Sequence, residues 1–125
     1  MKPVIDYTLY LVTDRDLMST ETLEQAVEAA CAGGVTLVQL REKHASRSEF
    51  VDLARRVKRV CDKHDIPLII NDEPEIAVEI GAAGVHVGQE DLEASRVREI
   101  VGPDAIVGVS AATVAEAQAA QRAGA

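Results

Sequence analysis

Apolar residues recur along this chain in two rhythms that take turns. Short runs of aliphatic and β-branched residues predict strands at Tyr7–Thr13, Thr36–Arg41, Leu68–Ile70, Val85–Val87 and Ala105–Val109, several of them bounded by Pro or Gly. Between them the spacing turns helical, first at Leu23, Ala26, Val27 and Ala30, then at Phe50, Leu53, Ala54, Val57 and Val60. Ser19-Thr20-Glu21-Thr22 offers a cap for the first helix and Gly33-Gly34 ends it. Ser46 or Ser48 caps the second, which runs through about His64. A third helix is expected over Glu73–Ile80, with Pro74 in its first turn, where a missing N–H costs little. Leu92–Val101 predicts the fourth, closed by Gly102-Pro103, and Thr113–Ala123 the fifth, stopped by Gly124.

Strand and helix thus alternate, joined by short connections with no linker or low-complexity segment. Such an order builds an α/β fold with a parallel sheet and right-handed crossovers. Pattern alone leaves two architectures open, a doubly wound sheet and part of a (β/α)8 barrel. A full barrel takes about 250 residues, so 125 cannot hold the usual eight units and one domain over 1–125 is expected.

Composition narrows the class. Leu, Ile, Val and Ala carry most of the 47% hydrophobic content, with one Phe, two Tyr and no Trp, as suits a sheet covered on both faces. No apolar run is long enough for a bilayer, and the N-terminus lacks a secretory layout. Cys31 and Cys61 fall within helical patterns and lack metal-ligand spacing, so the expected setting is a reduced cytoplasm. Thirteen Lys and Arg against 21 Asp and Glu give a formal net charge of −8. Without a basic stripe or interleaved aromatics, a nucleic-acid partner is not expected. An anionic small molecule would need a local positive cluster or a bridging metal.

The strand ends supply candidates for both. Gln39 and Arg41 share a face of the second strand near its C-terminal rim, with Lys43 just beyond. An arginine fork grips phosphate oxygens bidentately and a lysine adds a mobile charge; the plainer alternative is a surface pair with Glu42 or another Glu. Asp72 follows the third strand and Asp91 lies in the loop after the fourth. Neighbouring parallel strands lie roughly 4.8 Å apart, so the two carboxylates can meet over one ligand, and oxygen donors of this kind suit Mg²⁺ with a phosphorylated substrate. Alternatively Asp72 caps the next helix and Asp91 faces solvent. Asn71 can donate to a ring nitrogen or phosphate. Ser110, ending the fifth strand, can contact a phosphate or merely form a turn. His86, between two valines, is read as a core histidine. There is no Ser–His–Asp set, cysteine nucleophile or complete glycine-rich phosphate loop.

These residues stand in longer motifs: Tyr10-Leu11-Val12-Thr13-Asp14, Gly34 through Lys43 (GVTLVQLREK), Pro67 through Asp72 (PLIIND), Gly84 through Asp91 (GVHVGQED) and Gly102 through Ser110 (GPDAIVGVS). In order and spacing the chain resembles the thiamine-phosphate synthase family. The resemblance implies a (β/α)8 barrel whose reaction joins hydroxymethylpyrimidine diphosphate to a thiazole phosphate and releases pyrophosphate. It further implies that Gln39, Arg41, Lys43 and Asn71 hold the pyrimidine diphosphate, that Asp72 and Asp91 bind Mg²⁺, and that Ser110 touches the pyrophosphate. Arg41, Lys43 and Ser110 would then serve catalysis. The implied mechanism is dissociative, with the thiazole nitrogen trapping a pyrimidine-methyl cation, so no strong base is needed.

Two departures qualify the resemblance. Ala112 stands where the family usually has His after the Ser-Ala following the fifth strand. The sequence also ends at Ala125, where a sixth strand is expected, so a lysine-bearing loop and the thiazole-phosphate site would lie beyond it. The expectation is therefore a partial barrel of about five βα units. In it the edges of strands one and five, and inward residues such as Ile69 and Val107, lose their cover. Self-association, a partner, or rearrangement to an open sheet would follow. A thiazole tautomerase-like paralogue and a non-catalytic half-barrel are the alternative functions.

Overall fold

Local chemistry sets where each helix starts. The computed structural model describes residues 4–125, so the first three residues of the expected 1–125 domain lie outside the described residues. The elements are β1 (Tyr10–Val12), α1 (Leu23–Ala32), β2 (Leu37–Leu40), α2 (Arg47–Lys63), β3 (Leu68–Asn71), α3 (Pro74–Ile80), β4 (Gly84–Val87), α4 (Ala94–Val101), β5 (Ile106–Val109) and α5 (Val114–Arg122). Thr22 and Gln25 form a reciprocal capping box at α1, each side chain bonding the other's backbone N–H at 3.2 and 3.1 Å. Ser46, not Ser48, caps α2 through the N–H of Glu49. Thr113 caps α5 in the same way through Glu116. The strands are shorter than their apolar runs suggest, β1 most of all, because pairing begins only where a neighbouring strand lies alongside.

The five strands form one parallel sheet in the order β1-β2-β3-β4-β5. Each strand lies beside the next in sequence, as in a (β/α)8 barrel, and the reversal of order that marks a doubly wound sheet does not occur. The fold is thus a partial barrel, with β1 and β5 at the ends of the sheet among the described residues. The strand order is not rearranged. No helix of the described residues is long and apolar enough to cross a membrane.

Register divides the side chains between two faces. Val38 pairs with Leu68, Leu40 with Ile70, Ile70 with Val85, and Val85 with Val107. In-register partners point the same way, and this row packs with Val27, Leu53, Val57, Ile76 and Val97 of the helices into the main core. Full burial of such side chains contributes roughly 1.5–3 kcal/mol each. Val107 therefore belongs to the helix-facing side and is buried there, against the expectation that it faces the barrel interior. The strand begins one residue later than Ala105, at Ile106, and it is Ile106 that shares the inner face with Gly84, Ile69 and Gln39.

Ile69 does lie on that inner face, yet it is only 2% exposed, and Leu37 and Gln39 beside it are also buried. The expected loss of cover does not reach the middle of the sheet. Exposure falls instead on edge residues such as Val12, at 46%. Gly84 opens β4 because β5 passes close by: a Cβ there would sit 2.0 Å from the carbonyl oxygen of Ile106.

Candidate active site

The C-terminal ends of β2, β3, β4 and β5 converge on one rim, and the polar residues of the inner face collect there. On β2, Gln39 is buried and its Nε2 donates to the Tyr10 hydroxyl at 3.1 Å. Arg41 follows the strand, its backbone N–H donating to the Thr13 hydroxyl at 3.0 Å. Thr13, itself buried, thereby ties the loop after β1 to the start of the β2 loop.

Glu42 takes its partner from β1's loop. Arg15 grips both its oxygens, at 2.8 and 3.3 Å, and the Glu42 side chain is 7% exposed. The surface pair that would have tied Arg41 or Lys43 to Glu42 is thus replaced by a bond to Arg15. Arg41 and Lys43 line a cavity of about 510 Å³ with Thr13, Asp14 and the Arg15–Glu42 pair. Arg41 is half-buried and Lys43 exposed.

Asn71 ends β3 opposite His86. Asp72 comes next with φ at 65°, a left-handed conformation that aspartate tolerates better than most residues, and its N–H donates to the His86 carbonyl at 2.8 Å. It does not cap α3, whose N-cap is Glu73 without a side-chain bond. Partial burial and the neighbouring Asp91 carboxyl push the Asp72 carboxyl above its ordinary range, while the Asn71 side chain and the Arg41 charge act in the opposite sense. Asn71 and Asp91 thus lie beside Asp72, and the Arg41 charge is within electrostatic reach of it.

Asp91 is exposed, as the plainer alternative has it, and it does not cap α4, whose N-cap is Glu93. Its Oδ2 accepts from the Gly88 N–H at 2.6 Å, which fixes the carboxylate over the end of β4. Among the described residues no group of three or more His, Cys, Asp or Glu could hold a metal ion. The two carboxylates are hard oxygen donors, and a Mg²⁺ held by them would draw its remaining ligands from phosphate oxygens and water.

His86 departs from its core reading. It lies on the inner face in register with Asn71 and Gly108, half-buried, with Nε2 2.8 Å from the Ser110 hydroxyl. Burial pushes its imidazole below the usual histidine range, opposed by the charge of Asp91. Ser110 also accepts at its carbonyl from Gln89 Nε2, at 2.8 Å. Two residues further, the Ala112 N–H donates to Glu116 at 2.7 Å. Sequence reading thus missed Tyr10, Thr13, His86 and Gln89. The signal for the face of His86 was present: counting in twos on from Gly84 along β4 reaches it.

The profile of a family described as thiamine monophosphate synthase matches residues 9–125. A thiamine-phosphate synthase of Clostridium beijerinckii is 61% identical over 125 residues, covering 100% of this chain and 60% of that protein. One of Ruminiclostridium cellulolyticum is 62% identical with the same coverage. Among solved structures, thiamine phosphate pyrophosphorylase from Pyrococcus furiosus superposes with a TM-score of 0.86 at 31% identity, covering 94% of this chain and 56% of that one. The chain thus spans about 60% of the length of the curated relatives it matches.

Proposed function

The chain belongs to the thiamine monophosphate synthase family, and from that premise we propose that its sheet rim holds hydroxymethylpyrimidine diphosphate as a Mg²⁺ complex, for coupling to a thiazole phosphate with release of pyrophosphate. The observation that carries this reading is that Asp72, its N–H bonded to the His86 carbonyl, and Asp91, its carboxylate bonded to the Gly88 N–H, flank the end of β4, with the Arg41 charge within electrostatic reach of Asp72. Ionising Asp72 beside Asp91 is costly in the bare fold, and a divalent cation relieves that cost. When bound, Mg²⁺ would neutralise charge on the departing diphosphate.

The chain's own residues divide the remaining work. Arg41 presents a planar fork to diphosphate oxygens and Lys43 adds a mobile charge at the cavity wall. Ser110 offers a hydroxyl, and the amides of Gln39 and Asn71 orient the pyrimidine from the inner face. The bond between the pyrimidine methylene and the diphosphate oxygen breaks, its electron pair leaving with pyrophosphate. The thiazole nitrogen lone pair then forms the new C–N bond, and no proton must be removed from that nitrogen. The carboxylate pair favours this reading over a tautomerase-like paralogue, which has no need of the metal.

Calorimetric titration of the pyrimidine diphosphate into the chain, with and without Mg²⁺, tests the assignment. Binding is expected only with Mg²⁺ and is lost on Asp72→Ala with Asp91→Ala; unchanged Mg²⁺-dependent binding in that double variant overturns it.

A further inference from the structure

Ser110 is useful to an anion only in one orientation. A serine hydroxyl has one proton and two lone pairs. Facing a diphosphate, it stabilises charge when the proton points outward, and repels it when the lone pairs do. Left to rotate, the group spends part of its time in the wrong state. The structure places the His86 Nε2 2.8 Å from this oxygen, which can bias the rotor either way.

We propose that His86 is a positioning residue: its Nε2–H donates to Ser110 Oγ and so aims the serine proton at the bound diphosphate. The inference rests on the reading of the rim as a diphosphate site. With the imidazole as donor, the Ser110 proton has no partner in that pair and is available to the ligand. With the imidazole as acceptor, the proton is consumed. A neutral ring must therefore hold the Nε2–H tautomer, and an imidazolium would donate from the same nitrogen.

The seat of the ring supports the assignment. His86 is in register with Gly108 across the β4–β5 ladder, and a Cβ at Gly108 would lie 2.5 Å from His86 Nδ1. The imidazole thus lies against bare β5 backbone and reaches the hydroxyl two residues further along the same strand. Glycine is needed at 108 for this contact alone, since its φ is not in the left-handed region. Gln89 holds the Ser110 carbonyl from the same strand–helix loop that carries Asp91. The serine backbone is pinned by one residue and its hydroxyl by another.

Calorimetry with inorganic pyrophosphate in saturating Mg²⁺ tests the proposal, using wild type, His86→Asn, His86→Gln, Ser110→Ala, Gly108→Ala and the double variant of His86→Asn with Ser110→Ala. Ser110→Ala and His86→Asn are each expected to weaken binding about tenfold, the worth of one hydrogen bond to a charged group. The double variant is expected to match Ser110→Ala alone, because His86 acts through that hydroxyl. His86→Gln, whose Nε2 can reach the same place as a donor, is expected to keep most of the affinity, and Gly108→Ala to lose it by displacing the ring. A space-filling role for His86 would give no such rescue. Additive losses in the double variant, or equal losses for Gln and Asn, overturn the proposal and leave the diphosphate reading standing. Wild type that binds no pyrophosphate with Mg²⁺ overturns both.

Discussion

Asp72 and Asp91 face one another across the ends of β3 and β4, and neither caps the helix that follows it. A carboxylate beside a helix N-terminus is ordinarily explained by capping. Here Glu73 and Glu93 occupy the cap positions without using their side chains, and the two aspartates are turned to each other's company. Burial and the nearby Asp91 both disfavour the charged form of Asp72 in the metal-free fold, and the consequence for stability can be measured.

The Asp72 carboxyl is raised above its ordinary value of 3.8, first by burial and then by Asp91. The folded chain therefore holds this proton more tightly than the unfolded one. The contribution to stability is present in full below the ordinary value and is lost as pH rises through the raised one. Asp72→Asn is expected to raise the urea midpoint of the metal-free protein at neutral pH, and the advantage should vanish in acid. The same variant should weaken Mg²⁺-dependent pyrophosphate binding by about tenfold or more. Urea titrations of both proteins across the acid range, without metal, check the first half; an advantage that grew in acid would show the pair to be mutually stabilising.

The thiols of Cys31 and Cys61 lie on the packed faces of α1 and α2 and are both buried. Burial pushes the Cys61 thiol up to about 12, with Cys31 beside it. Since the thiolate is the reactive form, neither residue should be alkylated by iodoacetamide at pH 8 in the native protein, and both should react once urea unfolds it. Mass spectrometry of the native reaction, showing labelling within minutes, would contradict the burial.

Much of this arrangement was legible in the residues. All five βα units were marked by runs, caps and glycines, since those signals are local: the Thr22 cap and the stop at Gly33 depend on nothing distant. The rim residues were legible because a strand end has one location in a parallel sheet. What failed depended on phase. Placing Val107 inward came from not knowing which residue of the fifth run starts the pairing, and a shift of one residue exchanges the faces. His86 was misread because an isolated polar residue among valines gives no hint of a partner on another strand. Ser110 supplies that partner only when β4 and β5 are side by side.

Face assignment in β5 makes a sharp prediction. Val107 is 5% exposed in the core, whereas Ile106, its neighbour, lies half-buried on the inner face. Val107→Asp places a charge among Val85, Val97 and the helices and should destabilise the fold by about 3 kcal/mol or more. Ile106→Asp should cost much less, because its carboxylate can reach water. Chemical denaturation of the two variants separates the assignments, and the opposite ranking would put Val107 back on the barrel interior.

No residue of α5 is buried, so its attachment must come from elsewhere. Arg98 provides it. Its Nη1 donates to the carbonyls of Gly102 and Ala105, at 2.9 and 2.5 Å, and its Nη2 to the carbonyl of Gly124, at 2.6 Å. One planar guanidinium thus joins the end of α4, the start of β5 and the turn after α5. Lysine cannot reproduce this fork, because its donors radiate from one point. Hydrogen bonds to a charged group are worth about 1.5–3 kcal/mol each, so losing the Gly124 link alone should speed local opening of α5 by about tenfold or more. Arg98→Lys and Arg98→Met are therefore both expected to accelerate amide exchange across Val114–Arg122 while the β2 and β3 amides keep their protection. Unchanged exchange in α5 would mean that the helix is held by contacts other than this arginine.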